Sequence, residues 1–174
     1  MIQERDYLAA KLKEAGVKST IYTNMKKLRM AGETHLGAVL HNGDTFERRN
    51  SRKRYEDETG KRMVRVTRIF RTSSFNVVIS DAEAARCEEI FKKFLLCIGD
   101  GVYVDGNWVD LEIGKAEWIE KDDSVLKANI AVQVEILFKH QRLYEDIPVE
   151  QPFFPGLRTG FLFDQRRSAK IWLR

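Results

Sequence analysis

"ERRNSRKRYEDETGKRMVRVTRIFR", residues Glu47 to Arg71, is the stretch on which the reading of the fold turns. Ten of its residues are basic (Arg48, Arg49, Arg52, Lys53, Arg54, Lys61, Arg62, Arg65, Arg68, Arg71) and four acidic (Glu47, Glu56, Asp57, Glu58). That is a net of +6 in a chain whose total is +4, so the remainder is slightly acidic. "NSRKRYEDETGKR" has little apolar content and a Thr59-Gly60 turn. "MVRVTRIF" then resumes strand character, with Val64, Val66 and Phe70 on one face and Met63, Thr67 and Ile69 on the other. Upstream, "AVLHNGDTFERR" sets Asn42-Gly43 among β-prone residues, which favours a tight hairpin turn. The segment is expected to be two strands joined by a long charged excursion at the surface, because a buried loop does not carry such charge.

On the N-terminal side, Ile2 to Ala15 reads as an amphipathic helix, with Leu8, Leu12 and Ala15 at helical spacing and Gly16 as its stop. "VKSTIYTN" predicts a short strand. Met25 to Gly37 is basic, then small and glycine-punctuated, and predicts a loop or short edge segment. On the C-terminal side, "SSFNVVIS" predicts a further strand. Ser80 with Glu83 three residues on is a capping-box pattern that opens a helix over about Asp81 to Ile98. Its apolar positions Cys87, Ile90, Phe91, Phe94, Leu95 and Ile98 form one continuous face, closed by Gly99-Asp100-Gly101.

A meander follows. "VYV" and "WVDLEIGKAEWIEK" flank an Asp105-Gly106-Asn107 turn. Val109, Leu111 and Ile113 share a face, and Trp118 falls on the opposite phase beyond Gly114, which predicts a β-bulge there. Asp122 to Ser124 makes a turn. Ile130, Val132, Val134, Ile136 and Phe138 then alternate with Asn129, Gln133 and Glu135, the pattern of a strand with one wet face. From Pro148 the composition changes to an extended arm that holds all three prolines. The predicted fold class is α+β: a mostly antiparallel sheet with two helices packed on one face. Residues 1–147 form the domain and 148–174 the arm.

Composition narrows the function. The 174 residues suit one domain, with 43% hydrophobic and 32% charged residues. No run approaches the ~20 apolar residues that cross a bilayer, and the N-terminus lacks the pattern of a signal peptide, so a cytoplasmic protein with no membrane partner is expected. Cys87 and Cys97 lie ten residues apart on one helix, about 80° out of phase, and cannot meet as a disulfide. His35, His41 and His140 have no metal-ligand spacing with them, so no metal is expected. The acidic pairs Asp122/Asp123 and Glu88/Glu89 lie in a turn and on a helix face. "GDGVYVDG" lacks the order of a calcium loop. With no nucleophile-elbow, phosphate-loop or zinc-protease motif, no catalytic residue, enzyme activity or cofactor is assigned.

The basic stretch has three readings: a solvated loop, a phosphate contact through clustered Arg and Lys, or a contact with an acidic protein surface. No aromatic stacking pattern accompanies it beyond Tyr55, so single-strand base recognition is not supported, and no helix-turn-helix precedes it, so sequence-specific duplex readout is not supported either. The aromatic arm, with Phe153, Phe154, Phe161 and Phe163, either covers its own sheet or reaches a neighbouring subunit.

Taken in series, several elements resemble the tail terminator proteins of long-tailed bacteriophages and prophages, over roughly residues 2 to 147. They are the short N-terminal helix, the basic region "GAVLHNGDTFERRNSRKRYEDETGKRMVRVTRIFR", the "SDAEAARCEEIFKKFL" helix and the closing "GNWVDLEIGKAEWIEKDDSVLKANIAVQVEILFKHQRLY", with Trp118 just before its turn. The resemblance implies a subunit that forms a ring with copies of itself, commonly a hexamer. Such a ring caps the tail tube, ends its polymerisation and provides the head-joining surface. Its other implied partners are the tail tube protein and a head-completion protein, and it is made in the bacterial host cytoplasm and carried in the virion. Arg48, Arg49, Arg52, Lys53, Arg54, Lys61 and Arg62 are then the candidate contacts, to DNA in the lumen without sequence specificity or to an acidic partner. The alternative is a small basic nucleic-acid-binding module that uses the segment Arg48 to Arg71.

Overall fold

Two long strands, and not a loop, carry the charged stretch. The computed structural model describes residues 2–120 and 130–149. In chain order the elements are α1 (Ile2–Glu14), β1 (Ile21–Tyr22), α2 (Met25–Arg29), β2 (Leu36–Glu56), β3 (Arg62–Asp81), α3 (Ala84–Cys97), β4 (Gly101–Val104), β5 (Asn107–Glu120) and β6 (Ile130–Pro148). The six strands form one sheet in the order β1-β2-β3-β6-β5-β4. β1 runs parallel to β2, and every other pairing is antiparallel. The α+β class is borne out, with α1 and α3 packed on one face.

That face is built from alternation. Val39, Phe75, Val77, Ile79, Val109, Val132, Val134, Ile136 and Phe138 project from four strands onto Leu8 and Leu12 of α1 and Cys87, Ile90 and Phe94 of α3. Phe75 and Phe138 meet edge to face at 5.5 Å between ring centres. The Cys87 thiol lies in this core and its Sγ donates toward the Ile79 carbonyl at 3.5 Å. Burial pushes its pKa up to about 11, so it is a poor nucleophile at neutral pH. Cys97 is half-buried, and both cysteines are free.

The opposite face holds a smaller cluster that the sequence reading did not anticipate. α2 lays Leu28 on Leu36, Ala38, Leu40, Val78 and Ala131. Residues 25–29, expected to be loop, are helical because the Asn24 side chain caps them, accepting from the Lys26 N–H at 2.8 Å. His35 fixes the segment that follows: it accepts from the Lys18 N–H at 3.1 Å, and its Nδ1 lies 2.7 Å from Asp81 Oδ2.

Three further expectations are corrected. Asn42-Gly43 does not turn the chain. β2 runs through it, and the register slips by one residue between His41 and Gly43, a bulge that absorbs the glycine. "MVRVTRIF" and "SSFNVVIS" are one continuous strand, β3, which runs on to Asp81. That extension removes the capping box, because Ser80 is still strand and donates its hydroxyl to the Thr34 carbonyl at 2.9 Å. Glu83 is the N-cap of α3, with no side-chain capping bond.

The meander matches its reading. Asp105 and Gly106, at φ 49° and 76°, make the two-residue turn between β4 and β5. The register of β5 slips between Ile113 and Ala116, around Gly114. Gly101 is required by close approach, since a Cβ there would lie 2.4 Å from Cζ2 of Trp108. The predicted Asp122–Ser124 turn, Asn129 and the arm from residue 150 onward lie outside the described residues. No helix among the described residues is long and apolar enough to cross a membrane.

Phe94 is fully buried, whereas Leu96, two residues along α3, is 86% exposed. Phe94→Ala is expected to lower unfolding free energy by about 3–5 kcal/mol, and Leu96→Ala by no more than about 0.5 kcal/mol. Urea titration of both variants checks which face of α3 is the core.

Candidate functional site: a basic β-arm

Beyond Thr45 and Thr72 the sheet leaves the helices behind. β2 and β3 stay paired out to Glu56 and Arg62, and β6 accompanies them until Pro148 lies opposite Met63. At ~3.4 Å per residue this three-stranded arm reaches roughly 35 Å past the core. Its tip is the turn expected at Thr59-Gly60. There Asp57 Oδ1 accepts from the Thr59 hydroxyl at 2.7 Å and from the Thr59 and Lys61 N–H groups, each at 2.9 Å. Those bonds, the Thr59 hydroxyl first, hold the Asp57 carboxyl below its ordinary pKa.

One face of the arm is organised around Arg65. Its guanidinium makes two bonds to Asp146, both 2.8 Å, and lies over the rings of Tyr144 and Tyr55 at 3.9 and 5.2 Å. Planar, forked arginine suits both kinds of contact at once. The bond from Arg65 is the main reason the Asp146 carboxyl sits below its ordinary pKa. The other face carries Val64, Val66, Ile147 and Val149 along a shallow groove of about 300 Å³, rimmed by Arg52 and Arg68.

The ten basic residues divide by strand. Those of β3 that lie beside carboxylates are answered within the sheet: Arg65 by Asp146, Arg68 by Glu145 at 3.1 Å, and Arg71 by Asp44 at 3.0 Å. The seven candidate contact residues lie elsewhere and are all exposed. Arg48, Arg49, Arg52, Lys53 and Arg54 are on β2, Lys61 is in the turn, and Arg62 opens β3. Arg49 pairs with Glu47, and Arg62 reaches Glu56 only at 3.8 Å. Such exposed pairs contribute little. Arg48, Arg52, Lys53, Arg54 and Lys61 have no ion-pair partner among the described residues. Alternation sends Arg52 and Arg54 to the groove face and Lys53 to the Arg65 face, so cations flank the strand on both sides.

The β2 edge is also open. β1 covers it only at Gly37 and Ala38, so from Val39 outward one side of its backbone carries no strand among the described residues. The open edge offers main-chain donors and acceptors, and the side chains offer charge to phosphate or carboxylate. Among the described residues no group of three or more His, Cys, Asp and Glu is placed to hold a metal. Glu88 and Glu89 pair with Lys92 and Lys93 on the outer face of α3. Phe153, Phe154, Phe161 and Phe163 lie outside the described residues.

No protein-family model matches the chain, and no curated protein sequence does. Among solved structures it is similar to the sheath/tube terminator of an extracellular contractile injection system (PVC) in its extended state. The TM-score is 0.51 at 8% sequence identity, covering 98% of this chain and 65% of that one. The chain thus spans somewhat less than two thirds of the terminator's length. It also aligns with a chain of the virion of a native gene transfer agent, at TM-score 0.34 and 16% identity, over 79% of this chain and 84% of that one. The first likeness bears out, at the level of the fold, the resemblance to tail terminators.

The triple replacement of Arg48, Arg49 and Arg52 by alanine is expected to leave the melting temperature within about 2 °C of the parent, since exposed positions away from caps and cores change stability by at most about 0.5 kcal/mol. Thermal unfolding followed by circular dichroism checks this. Asp146 gives the arm a pH dependence. A carboxyl whose folded pKa is depressed stabilises above its unfolded value, near 4, and loses that contribution as pH falls through the lowered folded value. The Tyr144 ring resonances, shifted by stacking on Arg65, are expected to hold from pH 6 down to about pH 4 and to move toward random-coil values only as pH falls further, through the lowered Asp146 value. Asp146→Asn should show the released spectrum at both pH values.

Proposed function

We propose that the chain is a structural subunit of a phage-like tail that assembles with copies of itself into a closed ring, commonly a hexamer. The ring caps the tail tube, ends its polymerisation and provides the surface to which the head joins. The observation that carries this reading is the fold likeness to a sheath/tube terminator over 98% of the chain. The composition of the arm supports it, because a ring works through interface complementarity and closure and needs no active site. In this reading the tube protein and a head-completion protein are the partners beyond the ring. The subunit assembles in the bacterial cytoplasm and ends in the virion. Phe153, Phe154, Phe161 and Phe163 reach a neighbouring subunit.

A second reading has its own support in the unpaired cations of β2: a monomeric or dimeric module that binds DNA or RNA through its backbone phosphates. The two readings diverge in one measurement. Light scattering after size exclusion is expected to give a single discrete species near six subunits. A monomer that binds duplex DNA, with affinity falling steeply as salt rises, would instead establish the module and remove the ring.

A further inference from the structure

The arm has an electrostatic counterpart at the far side of the same sheet. Between residues 100 and 120 the chain holds Asp100, Asp105, Asp110, Glu112, Glu117 and Glu120 against Lys115 alone, a net of −5. Sheet order puts this β4–β5 hairpin at the edge opposite β2. Two of the acids are answered locally, Glu112 by Lys139 and Glu117 by Lys115. Asp100, Asp105 and Asp110 have no ion-pair partner among the described residues.

The β5 edge is open as well. β4 covers β5 only as far as Asp110, and the Leu111 N–H goes to the Asp100 carbonyl at 2.8 Å. Beyond that point the outer side of β5 carries no strand among the described residues. The hairpin also exposes large aromatics, with Tyr103 68% and Trp108 51% accessible and their rings edge to face at 5.1 Å. Trp108 is held in place, its Nε1–H donating to Asp110 at 2.9 Å while its indole lies across Gly101. A fixed, exposed Trp and Tyr beside surplus carboxylates suits arginine, which brings charge and a stacking plane together. Trp, Tyr and Arg are the side chains that dominate protein interfaces.

We propose that the basic β2 edge of one copy docks on the acidic, aromatic β4–β5 hairpin of the next copy. This rests on the ring reading and names the contact that closes the ring. A two-fold pairing of β2 with β2 would set Arg52, Lys53 and Arg54 against their own copies, and like charges face to face oppose association. Contact between the two unlike edges is heterologous, the kind that generates rings when the rotation closes.

A charge-swap experiment on the full chain tests it. One variant carries Arg52→Glu, Lys53→Glu and Arg54→Glu, and the other Asp100→Lys, Glu112→Lys and Glu117→Lys. All six positions are exposed. A melting curve of each confirms the fold before its mass is measured by light scattering. Each variant alone is expected to run as a monomer while the parent chain assembles, and an equimolar mixture is expected to recover the assembly, because each reversed surface then meets its complement. Variants that keep the parent's mass, or a mixture that stays monomeric, overturn this contact and leave the ring standing on another interface. A parent chain that stays monomeric overturns the ring and this contact together. Loss of duplex-DNA binding in the arm variant with its mass unchanged assigns the arm to nucleic acid and overturns the proposal.

Discussion

The structure depends on one strand being hydrogen-bonded on both sides for nearly its whole length. β3 pairs with β2 from Arg62 to Ser80 and with β6 from Met63 to Asp81, with only short interruptions at bulges. A strand whose backbone is satisfied on both flanks can leave the hydrophobic core without stranding its N–H and C=O groups. Half of β3 lies under α1 and α3, and the other half projects into solvent. The body supplies the burial that fixes register, and the arm inherits that register through the ladder. Out in the arm, cross-strand pairs of about 0.2–1 kcal/mol each have to suffice. That is why the Arg65, Asp146, Tyr55 and Tyr144 cluster sits where the hydrophobic core has ended.

The same division explains what could be read from the chain. α3, β6, the β5 bulge and the Asp105-Gly106 turn were legible because each borders the core. Burial on one face writes a period into the sequence, as in Val132, Val134, Ile136 and Phe138. The outer half of β2 has water on both faces, so Arg48 to Arg54 has no apolar period to betray a strand. It reads as loop for the same reason that it is exposed. Asn42-Gly43 misleads differently. The dipeptide suits a tight turn, but the long-range pairing of Leu36 to Leu40 with Asn76 to Ser80 holds β2 straight, and the local preference is spent as a bulge. α2 escaped notice because a five-residue helix is too short to show a period; its one signal was Asn24 at the cap.

The site was half legible. Counting charges located the basic stretch, but the count could not distinguish its members. Topology does: Arg65, Arg68 and Arg71 lie on the interior strand, with carboxylates on the neighbours at hand, whereas Arg48, Arg52, Lys53 and Arg54 lie on an edge with a neighbour on one side only. The uncompensated charge is therefore smaller than +6 and gathered along the β2 border of the sheet and the turn at its tip. Its acidic counterpart was in the sequence too, spread through a hairpin whose alternation drew attention to the core residues between the charges.

An open, flat edge strand is a hazard, because any other edge can add to it, and natural sheets blunt such edges with charge. Cations along β2 do this, since two β2 edges repel. Yet repulsion from like edges and attraction to unlike ones are the same property. At physiological ionic strength charges are screened beyond about 8 Å, so the edge discriminates only at contact, after shape has been tested. A strand protected in this way is closed to its own kind and to neutral strands, and open to a surface that brings carboxylates within reach. Under the proposed head-to-tail ring, that selectivity is what would separate closure from aggregation.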